Sequence, residues 1–116
     1  MELESSIQND VNVIKVAETR IDAASAVRFK DEMRSRTDEG PARVVLDLSN
    51  VAFVDSSGLG AIVASMKQMG DKRRLELAGL THDVAKVFRL TRMDSIFDIH
   101  DDTASALLSP GAQSAG

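Results

Sequence analysis

Residue types able to do chemistry lie closest together in Asp55-Ser56-Ser57-Gly58-Leu59-Gly60. Asp55 and Ser56 both suit the N-cap of a helix, where free amides and the helix dipole place a partial positive charge of about half a unit. An anion is tolerated there. A phosphate on the Ser56 hydroxyl would add about -1.5 to -2 charges without disturbing the fold, and would turn a small neutral turn into a bulky dianion beside Asp55. The expected effect is outward, on a partner packed against the turn. Gly58 and Gly60 each cost up to about 1 kcal/mol against alanine in a helix, which predicts close approach of another backbone. Taken alone, the same residues also suit a capped strand-to-helix turn with no further role.

Other chemistries find less support. With no cysteine, and with His82 and His100 far apart, neither a thiol nucleophile nor a metal centre is expected, and no cofactor is implied. The serines lack the G-x-S-x-G elbow, no G-x-x-x-x-G-K-[ST] occurs, and Gly58-Leu59-Gly60 lacks a third glycine. These patterns predict a binding protein, not an enzyme. His82 and His100 read as exposed residues, Lys72-Arg73-Arg74 as a solvated turn, and Met66 and Met69 as core. A formal charge of -4 with scattered Lys and Arg offers no basic stripe for nucleic acid. Met1-Glu2-Leu3-Glu4-Ser5-Ser6 is unlike a secretion signal, and charges interrupt every apolar run. The expected address is the cytoplasm, without direct membrane contact.

The 116 residues, 43 % of them hydrophobic, are enough for one domain. Strands are expected around 3–8 and 11–17, joined as a hairpin across Asn9-Asp10. Asp22 is the expected N-cap of a helix to about Arg36, with Ala26, Val27, Phe29, Lys30 and Met33 on its partial apolar face, ended by Gly40-Pro41. Val44 to Leu48 reads as a central strand. The second helix follows Asp55 with the stripe Leu59, Ile62, Val63, Met66 and Met69, and Gly70 at its C-cap. A strand over Leu75, Leu77 and Ala78 leads to a helix capped by Thr81, with Val84, Val87, Phe88 and Thr91 inward. Ile96, Phe97 and Ile99 suggest an edge strand, and 101–108 a last helix. The tail from Ser109 to Gly116 is small and polar, of a composition expected to be disordered. Strand and helix alternate, so the expected fold class is α/β: a mixed sheet of four to five strands with about four helices packed on it.

Val44-Val45-Leu46-Asp47-Leu48-Ser49-Asn50-Val51 and Phe53-Val54-Asp55-Ser56-Ser57-Gly58-Leu59-Gly60 together resemble the signature of the STAS domain, particularly of bacterial anti-sigma factor antagonists. Ile21-Asp22-Ala23-Ala24 is similar to the L-D-A-A helix start of that family, and Val87-Phe88-Arg89-Leu90-Thr91 to its V-L-x-L-T third helix. About residues 3–108 are covered, and 1–108 is taken as the domain. The resemblance implies a protein that, when unphosphorylated, binds a kinase-type anti-sigma factor and frees a sigma factor. The kinase would phosphorylate Ser56, and a PP2C-type phosphatase would reverse the step. Asp22, Asp55, Ser57, Gly58 and Leu59 would lie in the partner-binding surface, and weak homo-oligomerisation is left open. STAS domains also serve as scaffolds or accessory subunits in transport, stress-signalling and two-component complexes, which is the alternative reading. Thr19 and Arg92 stand where the family commonly has glycine. At Arg92 a left-handed cap is expected, at a cost of about 1 kcal/mol.

Overall fold

In the computed structural model, which describes residues 1–110, the chain opens with a hairpin. Strands β1 (Leu3–Gln8) and β2 (Val11–Val16) pair antiparallel, with Gln8 opposite Val11. The two residues between them, Asn9 and Asp10, have φ of 52° and 61°. Positive φ at both positions is what a two-residue hairpin turn demands, and Asn and Asp tolerate it better than most side chains.

A two-residue strand, β3 (Arg20–Ile21), precedes helix α1 (Ala26–Thr37). The helix begins later than the expected cap at Asp22. The Asp22 amide donates to Ser25 Oγ while the Asp22 carbonyl accepts from the Ser25 amide. This reciprocal pair closes residues 22–25 into a turn and moves the N-cap to Ser25. Phe29 and Met33 face inward as expected, whereas Val27 is largely exposed.

Strand β4 (Arg43–Asp47) is buried over four of its five residues. It runs parallel to β2 on one side and to β6 (Arg74–Ala78) on the other. Between β4 and β6 come the short strand β5 (Phe53–Val54), paired parallel with β3, and helix α2 (Ser56–Met69). At the end of α2, Gly70 takes φ +61°, the left-handed geometry that stops a helix, and its amide donates to the Lys67 carbonyl.

Helix α3 (His82–Leu90) follows Thr81, whose hydroxyl donates to the Val51 carbonyl and forms no capping bond to the helix. Thr91 is exposed, contrary to expectation, with its hydroxyl turned back to the Val87 carbonyl. The expected edge strand shrinks to β7 (Ile99–His100). A 3₁₀ turn over Met93–Ser95 occupies the chain before it, and Phe97 is buried with its ring edge-on to Phe88 at 6.0 Å. Helix α4 (Thr103–Leu108) starts at an Asp102 cap that accepts the Ser105 amide. From residue 111 the expected tail lies outside the described residues.

The main sheet has the order β1-β2-β4-β6-β7, mixed because only β1 runs antiparallel to its neighbour. One face carries the larger core: Ile14, Val16, Val44, Leu46 and Leu77 meet Phe29 and Met33 of α1, Ile62 of α2 and Phe88 of α3. On the other face Val11, Val13, Val45 and Ala78 are covered by Ala106 and Leu107 of α4. The architecture is the expected α/β fold, with four helices on a mixed five-stranded sheet.

Candidate functional site

The site forms where the small β3/β5 sheet delivers the chain into α2. Ladder register sets Arg20 opposite Phe53 and Ile21 opposite Val54. Ile21 and Val54 are buried, so strand alternation puts Arg20 and Phe53 on the outer side. Three amides tie the two segments together: those of Ala52 and Phe53 donate to the Thr19 carbonyl, and that of Asp55 to the Ile21 carbonyl. Thr19 thus serves through its backbone oxygen and has an ordinary negative φ.

Asp55 is the N-cap of α2 and uses both carboxylate oxygens. Oδ1 accepts the Gly58 amide at 2.8 Å, closing the first turn. Oδ2 accepts the Ala23 amide at 3.1 Å, fastening that turn to the 22–25 segment. Asp22 is fully engaged beside it. Its Oδ1 accepts from the Ala24 amide and the Ser25 hydroxyl, and its Oδ2 from Arg20 Nε at 3.2 Å. The Arg20 guanidinium holds the Asp22 carboxyl below its usual range.

Ser56, the first residue of α2, is exposed, and among the described residues its hydroxyl has no hydrogen-bond partner. Ser57 is exposed as well. A nucleophilic or phosphate-accepting oxygen therefore points to solvent from a turn whose backbone is fixed on both sides. No group of three or more His, Asp or Glu among the described residues is arranged to hold a metal ion.

Gly58 has the expected close backbone approach, but from within the chain. It is buried, and a Cβ there would overlap the Ile21 carbonyl oxygen and lie 2.7 Å from the Ile21 carbonyl carbon. The backbone that approaches Gly58 belongs to the chain itself, so its glycine is accounted for by internal packing. A Cβ on Gly60 would meet nothing within 4 Å. Seating Gly58 also turns the helix: Gly58, Ala61, Ile62, Ser65 and Met69 are buried, while Leu59, Val63 and Met66 sit half-buried on the flank. Leu59 therefore keeps part of its surface on the side of Ser56.

Arg20 and Phe53 join the site without an expectation from the sequence. The Arg20 guanidinium lies 4.2 Å from the centre of the Phe53 ring, which remains 39 % exposed. The signal was present in two short alternations, Arg20-Ile21-Asp22 and Phe53-Val54-Asp55, each with one apolar residue between outward polar or aromatic ones. His100, read as exposed, is half-buried on the far side of the sheet with Nε2 at 2.7 Å from Glu76 Oε1.

Comparison with known proteins gives a consistent set. Residues 2–106 match the STAS domain profile. A Bordetella bronchiseptica protein assigned as an anti-sigma factor antagonist, BtrV, is 30% identical over 87 residues, which is 74% of this chain and 75% of that one. A solved anti-sigma factor antagonist (STAS) domain protein from Planctomyces limnophilus superposes with a TM-score of 0.83 at 18% identity, covering 91% of this chain and 95% of that one. SpoIIAA, a Bacillus anti-sigma factor antagonist, has been solved in unphosphorylated and phosphorylated forms. These superpose with TM-scores of 0.67 and 0.66 at 17% and 15% identity, covering 84% and 91% of this chain and 87% and 96% of theirs.

Proposed function

Because this chain belongs to the STAS domain family, we propose that it is an anti-sigma factor antagonist controlled by phosphorylation of Ser56. Relatives named as anti-sigma factor antagonists support the first half of the reading. The second half is carried by one observation: Ser56 offers an exposed hydroxyl, unpartnered among the described residues, on a turn that Asp55 anchors from both oxygens.

In the unphosphorylated state a kinase-type anti-sigma factor docks on the surface around Asp22, Asp55, Ser57 and Leu59, which sets the sigma factor free. Within that complex Ser56 Oγ attacks the γ-phosphorus of ATP, the bond to ADP breaks, and the hydroxyl proton is released. The phosphate places a dianion between the two proteins, and the antagonist leaves. A PP2C-type phosphatase in the same cytoplasm hydrolyses the ester with water and restores the hydroxyl. The chain itself catalyses neither step. It supplies the acceptor and the surface.

Incubating the chain with its cognate kinase, ATP and magnesium is expected to add the mass of one phosphate, and Ser56→Ala to abolish the addition while leaving the circular dichroism spectrum unchanged. Ser56→Asp and Ser56→Glu are expected to weaken kinase binding by at least tenfold, about 1.4 kcal/mol, in titration calorimetry. Equal binding by parent and Ser56→Asp would remove the switch and leave the scaffold role of other STAS domains as the better reading.

A further inference from the structure

Resting on the reading that Ser56 carries phosphate, we propose that Arg20 is the intramolecular receptor for that phosphate, leaving Asp22 and the Phe53 ring to bind it. Residues 17–25 and 49–60, which make up the site, contain one cation, Arg20, against the carboxylates of Glu18, Asp22 and Asp55. A dianion on Ser56 adds to this negative excess, and Arg20 is the counter-charge already within the two segments.

The placement allows it. Arg20 lies opposite Phe53 in the parallel ladder, and Asp55 follows two residues on, on the same outer side. At about 3.3 Å per residue along β5 and about 4.8 Å between strands, the Arg20 and Asp55 backbones are roughly 8 Å apart, with Ser56 one residue further, inside the combined reach of an arginine and a phosphoserine side chain. Arg20 is also free to move: its side chain is 58 % exposed and is held at its end by the single Asp22 bond and the ring contact. Both holds are solvent-screened and weak, whereas a guanidinium meets a phosphate with two parallel charge-assisted bonds. The doubly charged ester therefore outcompetes the Asp22 carboxylate.

The consequence reaches beyond the modified residue. Once Arg20 has turned to the phosphate, the Phe53 ring loses its cationic cover and Asp22 its counter-charge. Phosphorylation then remodels the docking surface at β3 and β5 as well as at Ser56, and the partner is repelled by charge and deprived of a matching patch together.

The test uses the full chain with phosphoserine installed at position 56 by genetic encoding, so it needs no kinase and stands apart from the kinase assay above. In a phosphorus NMR titration the second pKa of the phosphate is expected to be higher by about 0.5 in Arg20→Ala than in the parent, with Arg20→Lys between them. In the parent, the Arg20 Nε–H resonance is expected to shift between the serine and phosphoserine forms. Coincident titration curves in all three proteins, or an Arg20 resonance that ignores the phosphate in the parent, overturns the proposal. Failure of the kinase to modify Ser56 would instead strike the functional reading and leave the titration result standing.

Discussion

Gly58 and Gly60 look alike in the sequence and do opposite things in the fold. A methyl group on Gly58 would collide with the Ile21 carbonyl, a backbone atom that receives the Asp55 amide and cannot easily give way. Gly58→Ala is expected to cost about 1–3 kcal/mol, as overpacking does. Gly60 sits in open space within α2, so Gly60→Ala is expected to stabilise the domain by up to about 1 kcal/mol through helix propensity alone. Thermal unfolding followed by circular dichroism measures both, since the chain has no Trp or Tyr to report by fluorescence. A loss of anti-sigma factor binding by the stabilised Gly60→Ala variant would place the partner's backbone at that position. The sequence could not separate the two glycines because the atom that distinguishes them belongs to Ile21, on another strand. Ser56 and Asp55 were legible because a capped turn is written in adjacent residues. Arg20 was not, since its partner ring is brought to it by the β3/β5 ladder.

Elements were legible in proportion to how local their causes are. The β1/β2 hairpin follows from two turn residues that tolerate positive φ, and α2 from an aspartate cap and a terminal glycine. Where a side chain had a competing partner, the expectation held only in part: Ser25 and Asp22 bond each other and delay α1, and Thr81 stands at the N-cap of α3 but turns its hydroxyl to the Val51 carbonyl. The edge strand β7 shortens because burying Phe97 against Phe88 requires the chain to curl through a 3₁₀ turn first. That turn begins at Arg92, whose φ of 63° is the left-handed conformation expected for a family glycine. The conformation costs a non-glycine residue about 1–2 kcal/mol, and glycine returns part of this as chain entropy. Arg92→Gly is therefore expected to stabilise the domain by about 0.5–1 kcal/mol, read as a higher urea midpoint at constant slope. An unchanged or lower midpoint would mean that the Arg92 side chain contributes packing that outweighs its backbone strain.

The molecule as a whole carries an apolar cluster on each face of the sheet, and one of the two is joined to a buried polar network. Helices α1 to α3 cover one side of the sheet with the larger apolar core, whereas the short α4 covers the other with a smaller apolar cluster, to which polar groups from several strands are added. Arg43 on β4 donates from Nε and Nη2 to the fully buried Glu76 carboxylate on β6, at 2.6 and 2.8 Å. It also donates to the carbonyls of Ala106 and Ser109, closing the C-terminal end of α4, while His100 on β7 meets the same carboxylate. Nothing in the sequence announces this network, because its members stand apart in sequence and each reads as an ordinary charged strand residue. Burial works to raise the Glu76 carboxyl, but the bonds from Arg43 and His100 outweigh it, and the net displacement is below the ordinary 4.5. Asp47, held by Ser49 and Thr103 against its own burial, is lowered as well. A carboxyl whose folded value is depressed contributes stability that is complete above its unfolded value and is lost as pH falls through the folded one. The melting temperature is accordingly expected to be level near neutrality and to drop progressively below about pH 4.5, with Glu76→Gln giving a shallower fall because the Glu76 share is removed while that of Asp47 and the smaller ones of the exposed Asp22 and Asp102 remain. Glu76→Ala strands the Arg43 charge and is expected to cost about 3–5 kcal/mol at pH 7. Since the network lies across the sheet from Ser56, Glu76→Gln is expected to accept phosphate at the parental rate wherever it is folded. A Glu76→Gln melting profile as steep in acid as the parent's would show that other carboxyls hold the molecule together at low pH.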